Sequence, residues 1–183
     1  MTTGEAKIAY LCFRKIKTNM EKTENFEPDI QRGIDFFKQG YNCSQSTVLA
    51  FAPYYNLPED LIKRLVSGLG AGMGRMREQC GTATGIFILS GLETGSTEPS
   101  REAKAASYAA VQDLAARFRA EAGSLICREL LKGHVKEIQT CPMPEERTDD
   151  YYRRRPCVKM VEMALRIYAA WLTERHQAEN LPD

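Results

Sequence analysis

No two of the six cysteines in this chain are spaced as CxxC. That absence removes the zinc ribbon, the thioredoxin-type redox pair and the CxxCH haem attachment in one step. Charge of one sign is missing too. Lysine and arginine total 25 against 24 acidic residues, a net +1, so the chain has neither a basic footprint for nucleic acid nor an acidic tail. No apolar run approaches the roughly 18 residues of a membrane span. The N-terminal stretch MTTGEAKIAYLCFRKIKTN has no continuous apolar core and no small-residue cleavage site, so it makes a poor secretory signal. The expectation is a soluble, cytoplasmic protein, in which an oxidised structural framework is the weaker reading of the cysteines. Internal repeats are absent. Histidine is scarce: His134 falls in a loop, with no evident orienting partner for a Cys–His hydrolase, and His176 lies near the C-terminus.

What is present is 183 residues with 43 % apolar and 27 % charged content, enough for one domain with a core of its own. Residues 1–25 are weakly patterned and read as an arm, with Cys12 in it; Met20 is an alternative start. The domain is expected over 26–178, with 179–183 as a tail. From Pro28 the pattern turns helical, with Ile30, Ile34 and Phe37 on one face and Gly40 as the stop. Asn42 reads as an N-cap that places Cys43 at the first helical position. Leu57-Pro58-Glu59-Asp60 opens another helix, with Leu61, Ile62, Leu65 and Val66 expected to face inward.

The stretch SGLGAGMGRMREQCGTATGIFILSGLETG, residues 67–95, has glycine at 68, 70, 72 and 74, cations at Arg75 and Arg77, then Cys80 and a wholly apolar segment. That segment is short enough for a buried strand, but its helical neighbours and the lack of any strand partner predict a helix starting at Gly81 and Thr82. Ser100 caps a long alanine-rich helix with the stripe Ala103, Ala106, Ala110, Leu114 and Phe118. Gly123 breaks it, and Ser124 caps the next helix, which carries Cys127. Residues 134–150, with Pro142 and Pro144, read as a loop whose acidic pairs are caps or solvated charges. The last helix is predicted from about Pro156 to Arg175, with Val158, Val161, Leu165, Tyr168 and Leu172 in register. Its Trp171 and aromatic neighbours make it a candidate homodimer surface. The fold class is all-α, a single-domain bundle of about six or seven helices.

Three thiols fall at predicted helix starts: Cys43, Cys80 and Cys157. A helix N-terminus carries about half a positive charge, which favours thiolate, as do Arg75 and Arg77 before Cys80 and Arg153, Arg154 and Arg155 before Cys157. A free cysteine in a helical protein is most often a small buried apolar residue. That reading is kept for Cys12 and Cys141. The glycine run is not a nucleotide loop, since helix rather than strand precedes it and Gly74 is followed by Arg75, not by Lys-Ser/Thr. It predicts close backbone packing against the central helix or the thiols.

The segments NCSQSTVLAF, SGLGAGMGRMREQCGTATG, ICRELL and RPCVKMVE closely resemble the C_GCAxxG_C_C family, named for its four spaced cysteines, over about residues 27–172. The resemblance carries over to Cys43, Cys80, Cys127 and Cys157, with Gly81 and Gly85 in the central motif as the expected cofactor-binding positions; as glycines in the central helix these two also permit close helix contacts. Thr82 departs from it, because the family usually has alanine there; the hydroxyl is expected to cap the helix or bond the sulfur. What the resemblance implies is a small helical protein with four clustered thiols and a redox role. Related domains occur in multihaem redox proteins that carry an iron–sulfur centre. Two chemistries follow. In the first, Cys80 attacks as thiolate and Cys43, Cys127 or Cys157 resolves a disulfide, with a redox partner protein or a small thiol on the other side. In the second, the four thiolates ligate an iron–sulfur cluster or zinc. A helical scaffold with inert core cysteines is the third reading.

Overall fold

The computed structural model describes residues 25–179. Cys12 and the arm up to residue 24 lie outside the described residues. Within them the chain is all-α, with one isolated antiparallel bridge between Gln79 and Ile126 and no strand. Helix α1 (Glu27–Lys38) starts with two acidic residues around Pro28 and ends where Gly40 takes a φ of 101°, open to glycine at no steric cost. Next come α2 (Cys43–Ala50), α3 (Glu59–Leu65), α4 (Gly81–Thr94), α5 (Arg101–Ala122), α6 (Cys127–Leu131), α7 (Asp149–Arg154) and α8 (Cys157–Glu179).

Helix α2 is the hub, packed against α1, α4 and α8, while α4 fills the space between α2 and α5 and α8 runs along all four. A short helix so enclosed must satisfy its polar groups internally. It does: Ser46 Oγ donates to Asn42 O at 2.9 Å, Thr47 Oγ1 to Cys43 O at 2.8 Å, and Ser44 Oγ to Val66 O at 2.8 Å. The apolar segment after Cys80 is the helix α4, with Ile86 and Leu89 fully buried and Leu92 reaching the surface. In α8, Val161, Leu165, Tyr168 and Leu172 are buried as the spacing predicts. Trp171, the candidate for a dimer surface, is 6 % exposed and stacks on Tyr168 at 5.7 Å within the chain. No described helix is long and apolar enough to cross a membrane.

Three local expectations change. In α3, seven residues long, only Ile62 faces the core, joined by Val66 just beyond the helix end, whereas Leu61 and Leu65 are exposed. The stripe of α5 becomes buried only from Ala110 onward, and Ala106 is exposed. The loop expected over 134–150 ends earlier, because Asp149 and Asp150 already belong to α7: Thr148 accepts a bond from Tyr151 N at 3.2 Å, and the two aspartates occupy the first turn.

Candidate thiol site

Each of the four family-type cysteines stands at a helix start. Cys43 is the first residue of α2, Cys80 is the cap residue of α4, Cys127 opens α6 and Cys157 opens α8. For Cys127 this was not visible in the sequence, which places it inside a helix capped at Ser124. Ser124 Oγ instead accepts from Ile126 N at 2.9 Å and α6 begins one residue later.

Local chemistry holds these starts together. Asn42 Oδ1 accepts from Ser44 N and Gln45 N, both at 3.0 Å, while Gln45 Oε1 accepts from Asn42 N at 3.1 Å, a reciprocal capping box. The same Asn42 donates through Nδ2 to Ser67 O at 2.7 Å, which ties the cap of α2 to the glycine run. Cys80 and Cys127 are brought together by the backbone: Cys80 N donates to Leu125 O at 2.8 Å, Cys127 N to Glu78 O at 2.7 Å and Arg128 N to Arg77 O at 3.0 Å.

The glycine run is a left-handed turn. Ala71, Gly72, Met73, Gly74 and Arg75 have φ of 54°, 75°, 59°, 57° and 66° in succession, and Arg77 has 63°. Four of these six residues carry a Cβ, which makes the conformation costly. The surroundings hold it in place: Gly74 N donates to Gly68 O at 2.7 Å and Glu78 N to Gly72 O at 3.0 Å. Gly72 is obligatory, because a Cβ there would lie 2.7 Å from Cys127 Cβ and from the backbone of Arg77 and Glu78. The turn aims Ala71 N–H at Cys43 Sγ, 3.3 Å away. At Gly81 and Gly85 the approach is close: an added Cβ would meet Cys43 Sγ at 2.5 Å and Thr47 Cβ at 2.6 Å, respectively.

All four of these cysteines line one cavity of about 60 Å³. Among the described residues every cysteine is free. Burial is the leading cause that pushes the thiols of Cys43, Cys127 and Cys157 up, and the approach of the other sulfurs adds to it; Cys157 is pushed up to about 12. Opposing this are Ala71 N–H at Cys43, Arg77 and Arg155 at Cys127, and Arg155 and Arg147 at Cys157. Helix starts and cations were expected to favour thiolate. At Cys43 and Cys157 dehydration wins, and the thiols stay protonated at neutral pH. Thr82 is 1 % exposed and its hydroxyl is 3.2 Å from Cys80 Sγ, so it bonds the sulfur, as expected for this departure from the family pattern.

The cations distribute differently from their sequence neighbours. Arg77 borders Cys127 and donates to Gln139 O at 2.8 Å; Arg75 turns away to Cys141 O at 2.5 Å. Arg153 and Arg154 pair with Asp150 at 2.7 and 2.5 Å on the surface. Arg155 alone of its triplet enters the cavity wall, ion-paired with Glu145. The sequence gives no warning of Arg147, which lies in the proline-containing loop. Its guanidinium is held between the rings of Phe37 and Tyr151, at 4.5 and 4.6 Å, at the cavity wall. Cys141 is exposed, His134 is an exposed loop residue, and His176 approaches Glu93 at 3.8 Å far along α8.

Four thiols suit soft metals. As the side chains stand, no group of three or more Cys, His, Asp or Glu among the described residues is set to hold a metal ion.

A family model described as putative redox-active protein (C_GCAxxG_C_C) matches residues 41–171, more than half of the chain and all four cavity cysteines. No curated protein and no solved structure matches the chain.

Proposed function

The chain belongs to the C_GCAxxG_C_C family, and from that membership we propose that its cavity is a thiol–disulfide exchange centre. The observation that carries this is the convergence of four free cysteines, from four separate helix starts, on one small cavity. Cys80 is the attacking residue. It sits at the positive end of a 14-residue helix and its sulfur shares a hydrogen bond with the Thr82 hydroxyl. Cys43 is its resolving partner, since Gly81, the residue after Cys80, lies in direct contact with Cys43 Sγ.

In the reaction the Cys80 thiolate attacks one sulfur of an external disulfide, from a small thiol or a redox protein. An S–S bond forms to Cys80, and the leaving sulfur departs with the bonding pair and takes up a proton. Cys43, giving up its proton, then attacks Cys80 Sγ in the mixed disulfide and expels the second external thiol. Two protein thiols are oxidised and one external disulfide is reduced. Cys127 and Cys157 line the same cavity beside the pair.

Redox titration of anaerobically purified protein against a glutathione buffer, read by alkylation and peptide mass mapping, tests this. The expected result is the loss of two alkylatable thiols in one step, mapping to Cys43 and Cys80 and abolished by Cys80→Ser. Four thiols that stay reduced and resist alkylation throughout would make the cysteines an inert core. Visible absorption with stoichiometric iron or zinc would assign them to ligation instead.

A further inference from the structure

We propose that the arginine side of the thiol cavity binds a small inorganic oxyanion with two negative charges, of the sulfate, sulfite or phosphate type. This goes beyond the thiol reaction and stands whether or not the cysteines exchange disulfides.

Charge is the first ground. Arg77, Arg147 and Arg155 line the cavity, and no aspartate or glutamate does. Among the described residues the only carboxylate that pairs with any of the three is Glu145, on Arg155. Three guanidiniums less one carboxylate leave +2 at the wall. Buried charge of that size calls for a counter-charge. The Cys43 and Cys157 thiols do not supply it, because burial holds them protonated.

Unused donors are the second ground. Arg155 Nε and Arg147 Nη1 are buried with no hydrogen-bond partner among the described residues, and the Arg155 side chain is only 4 % exposed. A guanidinium presents its N–H groups as a planar fork that matches an oxyanion edge. These forks are held in position before any ligand arrives, since the Tyr151 ring carries both guanidiniums, Arg147 at 4.6 Å and Arg155 at 4.9 Å. Tyr151 lines the same cavity, and with its hydroxyl pushed up to about 12 by burial it remains a donor.

Size selects among anions. With about 10–15 Å³ per water-sized site, the cavity of about 60 Å³ holds roughly four to six heavy atoms. A tetrahedral or pyramidal oxyanion has four or five. A nucleotide or a peptide carboxylate with its chain does not fit.

Calorimetric titration of the reduced, metal-free protein with sodium sulfate, phosphate and sulfite, at constant ionic strength, is the test. One site per chain is expected, with affinity falling by about tenfold or more in Arg155→Gln and in Arg147→Gln. Affinity should be unchanged in Arg154→Gln, which removes an exposed charge nearby. If either cavity variant does not fold, the wild-type chain still decides: each anion that binds must raise its melting temperature above that in chloride. Absence of one-site binding by all three anions would overturn the proposal, as would equal loss in Arg154→Gln, which would make the binding an adventitious ion only. Anaerobic protein whose four thiolates hold a metal and exclude the anion would also overturn it, because the +2 would then be matched by the sulfurs. Thiol oxidation is scored separately by alkylation, so its failure with anion binding intact would remove the exchange reading alone.

Discussion

Gly81→Ala is the sharpest probe of the site, because one methyl group reports on the contact between α4 and the Cys43 sulfur. A Cβ built there lies 2.5 Å from Cys43 Sγ, 3.0 Å from Leu69 O and 3.2 Å from Ser44 N. The first distance is impossible without movement and the other two are tight backbone contacts, so the methyl cannot be absorbed by one flexible side chain. Overpacking of this kind costs about 1–3 kcal/mol. The compensating gain is small: alanine is favoured over glycine by up to about 1 kcal/mol in a helix interior, and Gly81 is a first-turn residue. The expected net loss of about 1–2 kcal/mol lowers the melting temperature by roughly 2–8 °C for a chain of this length. Cys43→Ala in the same background removes the sulfur that collides. It should recover at least about 0.5 kcal/mol relative to the sum of the single changes, while the backbone contacts keep the rescue incomplete. Urea unfolding of the four proteins of this cycle, with reduced thiols, measures the coupling. Additivity within about 0.3 kcal/mol would refute the contact, and with it the pairing of Cys43 with Cys80.

Gly72→Ala should be worse than Gly81→Ala, by about 3 kcal/mol or more in total, since it combines a φ of 75° with clashes against the backbone and Cys127 Cβ; loss of the folded signal at ambient temperature is the expected readout, and a mild effect would contradict the left-handed turn. Asn42→Ala removes the capping box and the bond to Ser67, and should cost about 1–2 kcal/mol in urea unfolding; an effect below about 0.5 kcal/mol would mean the cap is not formed. The folded thiol of Cys157 titrates near 12, above its ordinary 9.0, so the native state binds this proton more tightly than the unfolded chain. Stability from this group is therefore complete below pH 9 and declines between pH 9 and 12, by about 1.4 kcal/mol per pH unit at most. Cys157→Ala should flatten that alkaline limb of the stability curve, and an unchanged slope would contradict the burial assigned to the sulfur.

How legible the site was depended on whether the deciding interaction is local. Asn42 and Gln45 cap α2 within one turn, so the placement of Cys43 at a helix start could be read from four residues. The same holds for Thr82, two residues from the sulfur it bonds. Gly81 and Gly85 were readable as close-packing positions, although nothing local named Cys43 and Thr47 as what they pack against. Helix α7 had a cap signal in Thr148-Asp149-Asp150, but it buries no side chain, so it has no apolar period to reveal it. The glycine run looked like freedom of the backbone. In the fold it is a constrained left-handed turn in which Ala71, Met73 and Arg75 are held against their own preference, by hydrogen bonds from Gly74 and Glu78 that the alternation of glycines does not encode. Arg147 was illegible for a plain reason. Its value lies in the ring of Phe37, 110 positions away in sequence, and no spacing rule reaches that far.

The arginines also explain why a loop without regular structure has a defined path beside the thiols. Residues 135–147 expose most of their side chains and contain no helix, so they contribute little burial of their own. Their anchors are buried guanidiniums. Arg75 takes Cys141 O, Arg77 takes Gln139 O, and Arg155 takes the Glu145 carboxylate. Each bond serves both partners: the loop gains order, and an arginine that would otherwise be buried without acceptors is partly satisfied. Two of these arginines extend from the loop contact to the cavity wall, where they bear on Cys127 and Cys157. Loop order and the electrostatics of the thiols are thus set by the same side chains. A change at Glu145 or in the Gln139 backbone reaches the sulfurs through Arg155 and Arg77 without touching any sulfur directly, whereas Cys141, which lies outside the family pattern, anchors the loop on Arg75 through its carbonyl.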